Sequence, residues 1–210
     1  MKTIHKITSK SIAIILLTLF ICTSCQSDDD TNQDFSSVFT FDIFTVQSDE
    51  QTVVMNGEIK SRTLQDFTNM LQGHPNIQRI HMGTVPGSSD DEINLQVGLL
   101  LHQNNINTHV LDNGVIASGG VDFFLAGMQR TLGENTMVGV HSWADGDGNQ
   151  ATDFPMDSSE HLRYIQYYEG VGYSSEWSRS FYFFTIQAAP ADDIHWMTEA
   201  EITQFELTTE

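Results

Sequence analysis

Two apolar runs, Phe39 to Val46 and Thr52 to Met55, flank the turn-prone segment Ser48-Asp-Glu. Short runs rich in Phe, Val and Thr predict β-strands, and a polar turn between two such runs predicts a hairpin. A helix is predicted next, because Thr63-Leu-Gln-Asp66 has the spacing of a capping box, with Asp in place of the usual Glu. Gly73, followed by Pro75, predicts the end of this helix.

The middle of the chain changes repeatedly between strand and helix patterns. The pattern predicts strands at residues 77–82, 108–111, 115–117 and 137–140, and helices around Ile93, Val97, Leu100 and Leu101, from Gly119, and near 158–169. A last helix should follow the capping box Thr198-Glu-Ala-Glu201. Strand and helix taking turns predicts an α/β fold with a largely parallel sheet.

The first residues have the pattern of a secretion signal. Lys2, Lys6 and Lys10 precede an apolar stretch from Ile12 to Ile21 that is too short to span a bilayer. The stretch ends in Cys22-Thr-Ser-Cys25, which resembles the cleavage box of bacterial lipoproteins. The resemblance implies that Cys25 is lipidated and becomes the first residue of the mature protein.

Three regions are therefore expected: a lipoprotein signal peptide at 1–24, an acidic flexible tether at 25–37 and a single domain at 38–210. The acidic segment Gln26-Ser-Asp-Asp-Asp30 resembles the tethers of lipoproteins from the Bacteroidetes, some of which face outward. Acyl chains on Cys25 would anchor the domain to the outer membrane, on the periplasmic or the surface-exposed face.

Charge and cysteine content restrict partners and chemistry. Nine Lys and Arg residues stand against 28 Asp and Glu, a net charge of −19, and removal of the three signal-peptide lysines makes it −22. Such a surface repels nucleic acid and anionic lipid headgroups, so partners should be neutral, cationic or small. Apart from the signal peptide and the anchor the chain has no cysteine, which excludes a disulfide and thiolate catalysis.

Four motifs together carry a family resemblance. They are Val85-Pro-Gly-Ser-Ser89, Ile116-Ala-Ser-Gly-Gly120, Val138-Gly-Val-His141 and Trp196-Met-Thr-Glu-Ala200. In this order they resemble the Clp proteolytic subunit and its secreted ClpP-like relatives. The resemblance implies a ClpP/crotonase-like fold, a spiral of ββα units. It also implies homo-oligomers, because the region that corresponds to the aromatic-rich stretch from Tyr164 to Phe184 mediates assembly in that family, although core packing would equally explain these aromatic residues.

The resemblance assigns catalytic roles to individual residues. Ser118 matches the family's nucleophile and His141 its general base. The acid that orients the histidine lies shortly before the Trp196 motif, which leaves Asp192 and Asp193 as the two candidates. A serine hydroxyl needs a base to take its proton, so the pairing of Ser118 with His141 is also chemically sensible.

The same resemblance predicts an oxyanion hole. Gly119 follows the nucleophile, so its backbone N–H would be one donor at a helix N-terminus. The second donor would come from Gly87-Ser88, where the family usually has two glycines. A Ser-Lys dyad is not expected, because Lys60 is the only lysine beyond the signal peptide and lies near the first predicted helix.

We therefore expect a membrane-anchored, ATP-independent serine hydrolase that acts on short or unfolded peptides or small esters and needs no cofactor or metal. An inactive ClpP-fold lipoprotein acting as a binding scaffold is the alternative, since Ser118 could simply cap a helix and His141 could bind a carbonyl. The thioester chemistry of the crotonase branch ranks lower because coenzyme A is scarce outside the cytoplasm.

Asp145-Gly-Asp-Gly-Asn149, with Asp153, has some oxygens of a calcium loop but lacks the glycine and terminal Glu of an EF-hand, which favours a solvated turn.

Overall fold

The computed structural model describes residues 39–209. The predicted signal peptide, the tether and Cys25 therefore lie outside the described residues. Within residues 39–209, no helix combines the length and the apolarity needed to cross a bilayer. The strands are β1 (Phe39–Phe41), β2 (Phe44–Val46), β3 (Thr52–Met55), β4 (Arg79–Val85), β5 (Asn107–Ala117), β6 (Arg130–Leu132), β7 (Met137–Val140) and β8 (His195–Trp196).

All of these strands belong to one sheet in the order β1-β2-β3-β4-β5-β7-β8, with β6 paired to β5. The central pairs β3–β4, β4–β5, β5–β6 and β5–β7 are parallel, and the pairs at the two edges are antiparallel. The predicted α/β fold with a largely parallel sheet is thus confirmed.

The predicted hairpin is present as β2 and β3, but its first strand is interrupted. Asp42 has a φ of 50°, a left-handed conformation that turns the chain between β1 and β2. Conversely, the two strands predicted at 108–111 and 115–117 form one strand, β5. Its register against β4 shifts between Met82 and Thr84, which allows one strand to run on across the polar residues that suggested a break.

The helices are α1 (Thr63–Gly73), α2 (Asp91–Gln103), α3 (Gly119–Leu125), α4 (Leu162–Gly170), α5 (Ser175–Ala188) and α6 (Glu199–Gln204). The capping box of α6 is confirmed, with Thr198 as the N-cap and reciprocal bonds to Glu201. The capping box of α1 is wrong: Thr63 is the first helical residue, and its hydroxyl accepts a hydrogen bond from the Lys60 N–H instead.

Helix α5 lies in the aromatic-rich region for which no helix was predicted. Phe181, Tyr182 and Phe183 are three successive buried residues, so the apolar positions do not form the single stripe of an amphipathic helix. The helix packs against α4, and Tyr168 of α4 contacts the Phe181 ring edge to face. Most of the aromatic side chains of this region are therefore core residues of the described domain.

Candidate active site

The two predicted catalytic residues follow the ends of neighbouring parallel strands. Ala117 of β5 pairs with Gly139 of β7, and the Ser118 N–H donates to the Gly139 carbonyl at 2.9 Å. His141 follows two residues after Gly139. Ser118 and His141 consequently line the same two neighbouring cavities, at one edge of the sheet. The carboxyl ends of parallel strands are the usual place for a functional site in an α/β fold.

Ser118 has an unusual backbone conformation. Its φ is 50° and its ψ is −129°, a combination that is strained for a residue with a side chain. It stands at the N-cap of α3, yet its side chain makes no capping hydrogen bond. The side chain of Ser118 therefore does not cap α3. The hydroxyl stays free for another partner, at a helix N-terminus where negative charge is favoured.

The Gly87-Ser88 loop lies beside the first turn of α3. Gly87 has a φ of 140°, and a Cβ atom placed on it would lie 3.1 Å from the Ser118 Cβ. Ser88 pairs with Ile59 in an isolated parallel β-bridge. The hydrogen bonds of this bridge are made by the neighbours of Ser88: the Gly87 carbonyl accepts from the Ile59 N–H, and the Ser89 N–H donates to the Ile59 carbonyl. The Ser88 N–H therefore points to the other side of the strand. Neither it nor the Gly119 N–H is hydrogen-bonded within the described residues, so both are free to hold an oxyanion.

The side chain of Ser88 does not loosen this loop. Its hydroxyl donates to Asp91 Oδ1 at 2.5 Å, at the start of α2. The buried Asn94 side chain donates to the Gly119 carbonyl at 3.0 Å and ties α2 to α3. Ser88 stands where the sequence resemblance predicts a second glycine, and it is accommodated because its side chain is directed to Asp91.

No carboxylate in the described part of the chain orients His141. The His141 Nδ1 atom is buried and has no hydrogen-bond partner. Asp192 and Asp193, the two candidate acids, are both exposed, and Asp193 accepts a hydrogen bond from the Ile194 N–H. Neither of these carboxylates hydrogen-bonds to His141 within the described residues. No hydrogen bond joins the Ser118 hydroxyl to His141 among the described residues either.

Behind Ser118 and His141 lies a narrow cavity of about 40 Å³ that sequence reasoning did not foresee. Asp122 is one of its lining residues, and the Tyr168 hydroxyl donates to Asp122 Oδ1 at 2.6 Å. Burial raises the pKa of Asp122 to about 7, partly offset by this hydrogen bond and reinforced by the nearby charge of Asp91. Asp122 stands one helical turn after Ser118, a spacing that was visible in the sequence.

An aromatic wall, defined as Trp143, Tyr164, Tyr168 and Tyr182, forms much of the remaining lining. The Trp143 indole donates to the Tyr182 hydroxyl at 2.9 Å, and the Tyr164 ring stacks on that of Tyr182. The Tyr164 hydroxyl donates to Asp91 Oδ2 at 2.6 Å. Burial raises the pKa of Tyr164, so this phenol remains a neutral donor.

The acidic segment at 145–153 forms a self-contained turn. Asp145 accepts hydrogen bonds from the Asn149 side chain and from the Asn149 and Asp147 backbone, which hold the pKa of its carboxyl below the usual range. Asp153 accepts from the Gln150 N–H. No group of three or more His, Cys, Asp or Glu side chains within residues 39–209 is arranged to hold a metal ion.

Comparison with known proteins supports the fold. No family model matches the chain, and no curated protein matches it. The solved structure of a mutant of the 1510-N membrane-bound stomatin-specific protease, in complex with a substrate peptide, is 16% identical, with 76% of this chain and 74% of that chain covered and a TM-score of 0.50. The catalytic domain of the ClpP protease from Plasmodium falciparum is 15% identical, with 77% and 84% covered and a TM-score of 0.50.

The chain has a ClpP-like fold. The mixed sheet with parallel central strands corresponds to that of both proteases. At this level of identity the likeness concerns the arrangement of the elements. The roles of individual residues therefore depend on the geometry of the site itself.

Proposed function

We propose that this protein is a serine hydrolase, and specifically a peptidase, with Ser118 as the nucleophile and His141 as the general base. The observation that carries the proposal is the combination at Ser118: a strained backbone, a hydroxyl that does not cap its helix, and a histidine that lines the same cavities. The unpaired N–H groups of Ser88 and Gly119 add donors where an oxyanion would develop. Both structural neighbours are described as proteases, one with a bound substrate peptide, which favours peptide substrates.

The proposed reaction is acyl transfer. His141 takes the proton of the Ser118 hydroxyl while the Oγ atom forms a bond to the substrate carbonyl carbon, whose oxygen becomes negative between the two N–H donors. Collapse of this intermediate breaks the bond to the leaving amine, which receives the proton from the imidazolium. Water then repeats both steps on the acyl-enzyme and releases the acid.

The missing acid partner affects the rate of this reaction. To accept a proton through Nε2, the neutral imidazole must carry its own proton on Nδ1, where the described residues offer no acceptor. An unpaired buried donor costs roughly 1–3 kcal/mol, so this tautomer is disfavoured. We therefore expect a slow enzyme, in which the oxyanion donors and the positioned serine supply most of the acceleration.

The proposal includes the location of the enzyme. Lipidation at Cys25 would hold it at the outer membrane, where ATP-driven unfoldases have no ATP supply. Short or unfolded peptides are then the substrates that need no such partner. Assembly into homo-oligomers is a further part of the proposal, taken from the resemblance to the Clp proteolytic subunit.

The direct test is labelling of the purified protein with a fluorophosphonate, which reacts with activated serines. We expect covalent labelling of the wild-type protein and a strong reduction in His141→Ala, because the substitution removes the base. A folded wild-type protein that takes up no label would contradict the hydrolase proposal.

A binding scaffold is the second candidate, and the unpaired Nδ1 of His141 is the observation in its favour. A protein that keeps the fold but not the reaction has no need of an orienting acid. In that case peptides would bind at the Ser118 site without turnover, and the fluorophosphonate result separates the two candidates.

A further inference from the structure

The cavity behind Ser118 contains a carboxyl group that has no counter-ion. Asp122 Oδ1 accepts the Tyr168 hydroxyl, and within the described residues Asp122 Oδ2 has no hydrogen bond. None of the ion pairs among these residues includes Asp122. Asp122 is half-buried and lines the cavity, and its Oδ2 atom is not among the fully enclosed polar atoms of the described residues, so this oxygen is accessible to a cation or a proton.

The other acid of the cavity is already satisfied. Asp91 accepts hydrogen bonds from Ser88 and Tyr164, and the Arg163 guanidinium lies 3.9 Å from its Oδ2 atom. Arg163 itself does not line the cavity. The two carboxyl groups of this cavity thus differ, since Asp91 already has its partners and Asp122 remains available to a cationic ligand.

The protein already places a cation against the aromatic wall. The Arg163 guanidinium carbon lies 4.7 Å from the centroid of the Tyr164 ring and 5.7 Å from that of Trp143. Both distances fall within the range of a cation–π contact. The wall and its carboxyl groups are therefore suited to positive charge, and the same two rings also face the cavity.

We propose that this cavity is the specificity pocket of the site and takes a lysine side chain, whose ammonium group pairs with Asp122. The proposal rests on the proposed function in one respect: the lysine is the residue on the acyl side of the bond that Ser118 attacks. Asp122 then acts as a specificity-determining residue and takes no part in proton transfer.

The size of the cavity favours lysine over other cations. At about 40 Å³ the cavity has room for about three water molecules, at 10–15 Å³ each. A slender, unbranched aminoalkyl chain suits such a space, whereas a planar guanidinium or an aromatic ring is wider. The strongly negative chain, with its net charge of −19, also raises the local concentration of cationic peptides.

Isothermal titration calorimetry with two matched ligands tests the pocket without requiring catalysis. Nα-acetyl-lysine methylamide carries the ammonium group, and the norleucine counterpart has nearly the same length and no charge. We expect the wild-type protein to bind the lysine ligand at least about tenfold more tightly, as suits a charge-assisted hydrogen bond to a half-buried carboxylate. Asp122→Asn, which keeps an acceptor for Tyr168, should remove this preference.

Asp192→Asn is the matched control, because it removes one charge from an exposed carboxylate that does not line the cavity. It should keep the lysine preference, and thermal melting verifies that both variants are folded. If the wild-type protein binds the two ligands equally, or prefers norleucine, that result alone would overturn the pocket proposal. So would a lysine preference that survives in folded Asp122→Asn.

The outcome is separable from that of the proposed function. A fluorophosphonate has no side chain to place in the pocket, so labelling reports on Ser118 alone. Labelling without a lysine preference would leave the hydrolase and remove the pocket. A lysine preference without labelling would support the pocket in a binding protein.

Discussion

Gly119 lies directly against the Ser88 side chain: a Cβ atom placed on Gly119 would come within 2.8 Å of the Ser88 Cβ. On the same side it would meet the Asn94 side-chain nitrogen, also at 2.8 Å. Asn94 is buried and bonded, and Ser88 is bonded to Asp91, so neither neighbour can move cheaply. This close approach is what sets the two candidate oxyanion donors beside Ser118.

Gly119→Ala should therefore disrupt the oxyanion hole. The added methyl group would push the Ser88 loop away from Ser118, and loss of one donor typically costs about 10²–10³ in rate. We expect the fluorophosphonate labelling rate to fall by about 100-fold. Gly146→Ala is the control, because nothing lies within 4 Å of a Cβ at that exposed position. An unchanged labelling rate in folded Gly119→Ala would refute the assigned donor.

Neither candidate acid should matter for labelling. Asp192 and Asp193 are exposed, and the His141 Nδ1 atom accepts or donates no hydrogen bond in the described structure. Asp192→Ala and Asp193→Ala should label at the wild-type rate, within about twofold. A loss of 10-fold or more in either variant would show that the reacting enzyme recruits that carboxylate to the histidine, as a triad acid does.

The stability of the protein should depend on pH through Asp122. Its carboxyl has a pKa of about 7 in the folded state and the ordinary value of 3.8 when unfolded, so the folded state holds the proton more tightly. Above about pH 4 the unfolded state releases this proton while the folded state keeps it. Asp122 therefore lowers the free energy of unfolding progressively as the pH rises, until the folded carboxyl also ionises at about pH 7.

Asp122→Asn removes that contribution. The free energy of unfolding of Asp122→Asn minus that of the wild type should increase progressively between pH 4 and pH 8. At roughly 1.4 kcal/mol per pKa unit, the total increase is at most about 4 kcal/mol. Urea unfolding of both proteins at several pH values measures the difference. A difference that is constant over this range would show that the Asp122 carboxyl is not desolvated.

The elements that position Ser118 and His141 could be predicted because local patterns determine them. An apolar β-rich run before Gly119 and another before His141 were sufficient to place both residues at strand ends. The cavity could not be foreseen in the same way. Asp122 and Tyr168 are 46 positions apart, and only the packing of α4 against α3 brings them together. Helix α5 was not predicted because it is buried on several sides by tertiary packing. Its sequence therefore lacks the single apolar stripe by which an amphipathic helix is identified.

Membrane attachment should depend on Cys25, which lies outside the described residues. Lipidation needs its thiol, and the strongly acidic remainder of the chain repels anionic headgroups. In a fractionated bacterial host, Cys25→Ala should move the protein from the membrane pellet to the soluble fraction. Ser24→Ala keeps a small residue before the cysteine and serves as the control. Recovery of the Cys25→Ala protein in membranes would contradict the lipoprotein assignment.

The most direct measurement is the site of fluorophosphonate attachment, mapped by mass spectrometry of digested protein. Ser142 is the local control: it is fully buried, and its hydroxyl bonds to the Trp143 carbonyl and the Ala151 N–H. Ser142→Ala should lose about 1–3 kcal/mol of stability and still label. Ser118→Ala should be as stable as wild type to within about 0.5 kcal/mol, because the hydroxyl caps nothing.

We predict a single adduct, on Ser118, and none in Ser118→Ala. An adduct on Ser142 or on another serine, or undiminished labelling of Ser118→Ala, would contradict the assignment of Ser118 as the nucleophile.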